Sequence, residues 1–149
     1  RAIQRVDSIV EEAEEYFWYM CDERLIPRNS YGEGVKHLDR GVQFKYLEPP
    51  GYTAPIEVLK RIPPGVREVY DRHRAAGTLV SRTLNKIDLT IYLNEKEVGV
   101  LAFPNNLGEF DYLGFSSKNP KVLKWCKDVF NYYWEQSSPF VPPNYDAIQ

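Results

Sequence analysis

A mixed sheet flanked by helices, an α/β sandwich, is the architecture predicted by the order of hydrophobic periods along this chain. Apolar residues recur at helical spacing near both ends, over residues 3–14 and 120–136, where repeats at three and four lay one helix face on a core. Between them stand short aromatic and β-branched runs, YFWYMC, VQFKYL, TLVSRTL and EVGVLAF, the residue types that fill a pleated surface. Helices and strands alternating in this way build layers of helix on sheet.

Ile3, Val6, Ile9, Val10, Ala13 and Phe17 fall near one helical stripe, with Asp7, Glu11, Glu12 and Glu14 opposite, so a first helix is expected over residues 3–14. YFWYMC is too continuously aromatic for a solvated helix face and predicts a buried strand over residues 15–21, ended by Asp22, Glu23 and Arg24. A short helix through Val35 and Leu38 should stop near Gly41, and VQFKYL makes the second strand. The three prolines and one glycine of EPPGYTAP break regular structure. IEVLKRI and PGVREVYDRHRAAG then predict two short helices separated by Pro63 and Pro64, the second closed by Gly77.

TLVSRTL is the third strand. Ile87, Leu89, Ile91 and Leu93 alternate with Asp88, Thr90 and Tyr92, the pattern of a half-buried strand, and NEKE turns it back into EVGVLAF as a hairpin. After the polar turn PNNLGEFDY, Asn119 and Pro120 supply a cap and a first-turn proline for the last helix. There Val122, Cys126, Val129 and Tyr133 form a stripe widened by Leu123, Phe130 and Trp134, leaving Lys121, Lys124, Lys127 and Asp128 in solvent. Residues 1–136 are expected to be a single domain, and the Pro-rich stretch 137–149 a mobile tail.

Composition narrows the function classes. At 149 residues, 43% apolar and 14% aromatic, the chain suffices for one core. A formal net charge of −2 gives no global positive field to draw in phosphate backbones, so contact with DNA is expected only through a domain outside this chain. Cys21 and Cys126 are far apart and lack CxxC spacing, which argues against a zinc site or a disulfide framework and fits a reducing cytoplasm. No run approaches the ~20 apolar residues that span a bilayer. The chain begins with Arg1 in helix-like sequence, as expected of a piece of a longer polypeptide.

Three stretches carry a family resemblance: AEEYFWYMCDE as first helix into first strand, HLDRGVQFKYLEP as a helix leading through an RGV turn into strand two, and GVLAFPNNLGEFDYLGF followed by KWCKDVFNYYWE. With these, nearly the whole chain resembles the effector (middle) domain of archaeal winged-helix transcription regulators of the methanogenesis-regulator type. Those regulators share a phospholipase D-like α/β fold with TrmB-type sugar-responsive regulators. The least generic element is the ending that contains Trp125, Phe130, Tyr133 and Trp134. The resemblance implies a ligand-sensing and dimerisation domain, a small-molecule effector, a homodimer, and a DNA-binding winged helix outside this chain.

Because the implied fold also houses enzymes, its chemistry can be checked against the residues. Phosphodiester cleavage through a phosphohistidine needs a histidine with a lysine two residues on and an aspartate further along. His37 is followed by Leu38 and Asp39, and His73 by Arg74 and Ala75; both are expected to be surface helix histidines. The serines stand in no nucleophile elbow, there is no glycine-rich phosphate loop, and EEAEE suits the wet face of a helix. No catalytic residue, metal or cofactor is therefore expected.

Binding remains. Ligands of α/β sheets sit beyond the carboxyl ends of strands, where rings supply contact area and charges supply orientation. Trp18, Tyr19, Asp22, Arg24, Tyr46, Glu48, Arg82 and Tyr92 are the ligand-binding candidates by that criterion. Core packing is the competing account for Trp18 and Tyr92. Arg82, inside an apolar strand, needs a partner, and Asp88 is the expected one. Two alternatives to sensing stand beside it: a protein-interaction module without a small ligand, and a divergent phosphodiesterase of the phospholipase D-like fold.

Overall fold

The computed structural model describes residues 2–22, 30–50, 63–109 and 114–140, the side chains of 2–5 and 30–33 excepted. In chain order its elements are α1 (Ala2–Glu12), β1 (Tyr16–Met20), α2 (Ser30–Asp39), β2 (Gln43–Glu48), α3 (Val66–Ala76), β3 (Leu79–Thr83), β4 (Thr90–Asn94), β5 (Val98–Ala102), β6 (Phe115–Ser117), α4 (Pro120–Glu135) and β7 (Ser138–Pro139). The strands form one seven-stranded mixed sheet in the order β6-β5-β4-β1-β2-β3-β7. Strands β1, β2 and β3 are parallel neighbours, and the other pairings are antiparallel. Each parallel step is bridged by a helix, as crossover connections require.

The pleat of the sheet divides the interior in two. Along β1 and its extension, Phe17, Tyr19 and Cys21 face one side and join Val6, Ile9, Val10 and Ala13 of α1, Leu38 of α2 and Phe44 of β2. Trp18 and Met20 face the other side, with Leu47, Ile91, Leu93 and Val98, beneath Cys126 and Phe130 of α4. Trp18 and Phe130 stack with centroids 5.2 Å apart, and Phe130 and Trp134 at 5.5 Å, so α4 is seated by rings. Asn119 caps that helix by accepting a bond from the Lys121 amide at 2.9 Å. Gly41 and Gly77 end α2 and α3 with φ of 91° and 81°, a left-handed conformation that glycine adopts without Cβ strain.

The β4–β5 turn ties the hairpin to the start of the chain. Asn94 Oδ1 accepts from the amides of Lys96 and Glu97 at 2.8 and 3.0 Å, while its Nδ2 donates to the Ile9 carbonyl at 3.0 Å. Glu95 Oε1 accepts from the amides of Glu14 and Glu15 at 2.8 and 2.6 Å. These polar contacts give the α1–β1 joint the partners its backbone donors need.

Several expectations are corrected. Strand β4 begins at Thr90 and is buried on both faces rather than half-buried, because α1 packs over one side and α4 over the other; Ile87 and Leu89 are buried in the approach to it. Strand β6 lies where only a loop was expected, as a short run whose first two residues are exposed offers no apolar alternation to reveal it. Ser138 and Pro139 pair with Thr83 and Arg82 as an edge strand, so these two tail residues are not irregular. Pro139 on an edge is compatible with its missing donor. Trp125, in the ending that carries the family resemblance, is 50% exposed. The helix expected over 56–62 and the tail beyond 140 lie outside the described residues. Among the described residues no helix is long and apolar enough to cross a membrane.

Phe130→Ala should cost about 3–5 kcal/mol in urea unfolding, whereas Trp125→Ala should stay within about 0.5 kcal/mol. Cys21 and Cys126 are buried and in no disulfide with each other, and burial pushes the Cys126 thiol up to about 11. A pKa raised on folding favours the protonated native state, so the stability linked to it is present below the ordinary thiol range and is lost as pH rises through about 11. Neither thiol should react with a disulfide reagent at pH near 8 in native protein, and both should react in urea.

Candidate functional site

The carboxyl ends of β1 and β2 lie side by side, with Tyr19 paired to Tyr46 and Met20 to Leu47, and β4 flanks β1 so that Tyr19 is opposite Tyr92. On the face covered by α1 to α3 this register brings three tyrosines together. The Tyr19 ring is tilted 4.4 Å from Tyr46 and stacked 5.1 Å from Tyr92. The Tyr19 hydroxyl donates to Oε1 of Glu48, which closes β2 as a buried carboxylate. An acid taken out of water at the end of a strand must be met by donors, and Tyr19 provides one. Tyr46 stays partly buried at the edge of this cluster, while Tyr19 and Tyr92 are core rings with 4% and 1% exposure. Among the candidate residues, then, Tyr46 and Glu48 stand at the margin of this cluster and Tyr19 and Tyr92 form its floor.

The pleat sends the remaining candidates elsewhere. Trp18 belongs to the opposite core beneath Phe130. Arg82 also points to that side: its guanidinium lies 5.8 Å from the Trp134 ring, Nε donates to Ser137 Oγ at 2.6 Å, and one terminal nitrogen donates to the Ser137 carbonyl at 2.7 Å. Its partner is thus Ser137 and not Asp88, which pairs with Lys86 at 3.6 Å. The sequence could not show this because Ser137 is brought beside β3 only by β7 pairing. Asp22 is exposed just past β1, and Arg24 lies outside the described residues.

Both histidines differ from the expected surface residues. His37 is 2% exposed, with Nε2 at 3.0 Å from the Glu11 carbonyl oxygen, joining α2 to α1. His73 Nε2 is 2.8 Å from Asp39 Oδ1, joining α3 to α2, and Arg72 reaches the same oxygen at 3.2 Å. The His73 hydrogen bond, aided by the Arg72 charge, holds the Asp39 carboxyl below its ordinary range. Neither histidine lies on the sheet, and neither has a lysine two residues on. No group of three His, Cys, Asp or Glu residues suited to a metal occurs among the described residues.

No protein family and no curated protein matches the sequence. Solved structures do match. TrmBL2, described as an archaeal chromatin protein with a novel mode of DNA binding, superposes with a TM-score of 0.66 at 24% identity, over 93% of this chain. Nuc from Salmonella typhimurium, a phospholipase D family member, gives 0.54 at 14% identity over 92% of this chain and 89% of its own. NucT from Helicobacter pylori gives 0.60 at 12% identity over 93% and 91%. The fold is phospholipase D-like. At these identities the likeness establishes fold alone, and this chain spans 50% of the length of TrmBL2. Within the phospholipase D-like sheet, the tyrosine cluster and Glu48 are the groups that the carboxyl-end rule singles out.

Removing the hydroxyl in Tyr19→Phe should cost about 1–3 kcal/mol, because Glu48 loses a buried donor. In a double-mutant cycle with Glu48→Gln, urea denaturation should yield a coupling of about 0.5–3 kcal/mol. Additive losses would mean that the two groups do not act together.

Proposed function

We propose that this chain is the effector-sensing and dimerisation domain of an archaeal-type transcription regulator, cytoplasmic and non-catalytic, whose DNA-binding winged helix lies outside it. The observation that carries the reading is the contact of the Tyr19 ring with Tyr46 and Tyr92 beside the carboxyl ends of two parallel strands, with the Tyr19 hydroxyl on the buried Glu48 carboxylate. Rings offer apolar contact to the faces of a small molecule, and an acceptor-only carboxylate selects hydroxyl or ammonium donors. The effector is therefore a small polar molecule rich in such donors. The likeness to TrmBL2, of which this chain spans half, supports a role as one module of a longer DNA-binding protein. The histidines, engaged on helices and lacking a lysine two positions on, favour a binding domain over a phosphodiesterase.

A sensor of this kind acts by differential affinity: the effector favours one arrangement of the attached DNA-binding domains by no more than the difference in its binding free energy to the two. Dimerisation is supported by Phe103, Leu107, Phe115, Trp125 and Tyr132, large apolar residues left exposed at 47–76% on the β5–β6 connection, β6 and α4. A homodimer sedimenting at micromolar concentration is expected, weakened by Phe115→Glu.

In a thermal-shift screen over sugars, amino acids, polyamines and nucleosides, at least one compound should stabilise the protein. Saturation at about 100 times Kd adds about 2.7 kcal/mol, several degrees for a domain this size. Glu48→Gln and Tyr46→Ala should each abolish the shift. Failure of every compound to stabilise would contradict sensing.

A further inference from the structure

The face of the sheet beneath α4 carries a second, separate cluster. Lys45 of β2 is the register partner of Trp18, and its ammonium sits 4.5 Å from the Trp18 ring and 5.2 Å from Trp134. Lys127, expected in solvent, instead lies 4.9 Å from Tyr16 and 5.5 Å from the same Trp18. Arg82 flanks Trp134 from β3, its donors turned to Ser137. Three cations thus share one aromatic floor, and among the described residues no carboxylate pairs with any of them. The acid nearest in sequence, Asp128, is held by Lys124 at 2.8 Å.

Aromatic faces attract single cations but leave the mutual repulsion of Lys45 and Lys127 uncancelled. Burial, and then the Lys127 charge, lowers the Lys45 ammonium from the ordinary lysine range. Trp18 adds an independent sign of an unfilled site: the residue is 8% exposed and its indole Nε1 is buried with no acceptor among the described residues, although buried donors are nearly always satisfied. Two ammonium groups without a counter-charge among the described residues, with an unused donor and a fixed guanidinium on the same aromatic floor, match a doubly charged anion.

We propose that Lys45 and Lys127, with Trp18 and Arg82 behind them, bind a phosphate-bearing small molecule on the α4 face of the sheet. The two ammonium groups share the phosphate oxygens, and the Trp18 and Trp134 rings give contact to the rest of the ligand. This site is on the side of the sheet opposite Glu48 and stands or falls independently of the effector reading above.

Tryptophan fluorescence tests it, since Trp18 and Trp134 adjoin both lysines. Titration with inorganic phosphate and with glycerol phosphate, at constant ionic strength set by chloride, should give a saturable change. Lys45→Gln and Lys127→Gln should each weaken it roughly tenfold or more, as loss of a charge-assisted bond does. Lys121→Gln, exposed on the same helix, should leave it unchanged. Without phosphate, Lys45→Gln should melt no lower than wild type, because repulsion is relieved. The proposal is overturned by a response identical in all three variants, by none at tens of millimolar phosphate, or by a clear drop in the melting temperature of Lys45→Gln without phosphate.

Discussion

The two-residue period of β1 is the constraint from which the rest of the molecule follows. The strand is interior to the sheet, between the parallel β2 and the antiparallel β4, and helices cover both of its faces, α1 and α2 on one and α4 on the other. Its run Tyr16–Met20 is aromatic on both sides for that reason. A pleated strand sends neighbours to opposite faces, so Phe17 and Tyr19 build the layer under α1 to α3 while Trp18 builds the layer under α4. A one-residue slip in pairing would exchange the two sets, and with them Glu48's donor and α4's ring seat.

That division explains how much of the candidate site could be read in the sequence. Of the eight candidate residues, Tyr19 lies against Tyr46 and Tyr92 and donates its hydroxyl to Glu48. Trp18 and Arg82 were grouped with them as residues of the strands' carboxyl-end region, yet pleat parity assigns both to the other face. Parity within a strand is legible from sequence once the register is known; which helix covers which face is not. The same gap explains Lys127, whose place on the helix wheel looked solvated but whose four-carbon stem reaches the Tyr16 and Trp18 rings across the layer.

Elements with strong local signals were legible. The Asn119 cap, the Gly77 stop and the β4–β5 hairpin stand where capping and turn chemistry put them. The elements missed, β6 and β7, are three and two residues long and owe their strand geometry to the partners beside them. His37 and His73 were misjudged for a related reason: their acceptors, the Glu11 carbonyl and Asp39, come from other segments of the chain. In this fold the helices are joined to one another by imidazoles, and the histidines do structural duty on the outer layer.

A phospholipase D-like sheet can thus present two faces of different chemistry, an acidic aromatic cluster on one and a cationic aromatic cluster on the other. The claim with most at stake is that the acidic cluster is a binding edge. A crystal structure of the protein with a compound that raises its melting temperature tests this most directly. The account predicts ligand density against the Tyr46 ring, with a donor within hydrogen-bond distance of Glu48. Density elsewhere, with the tyrosines and Glu48 unchanged and out of contact, would contradict it.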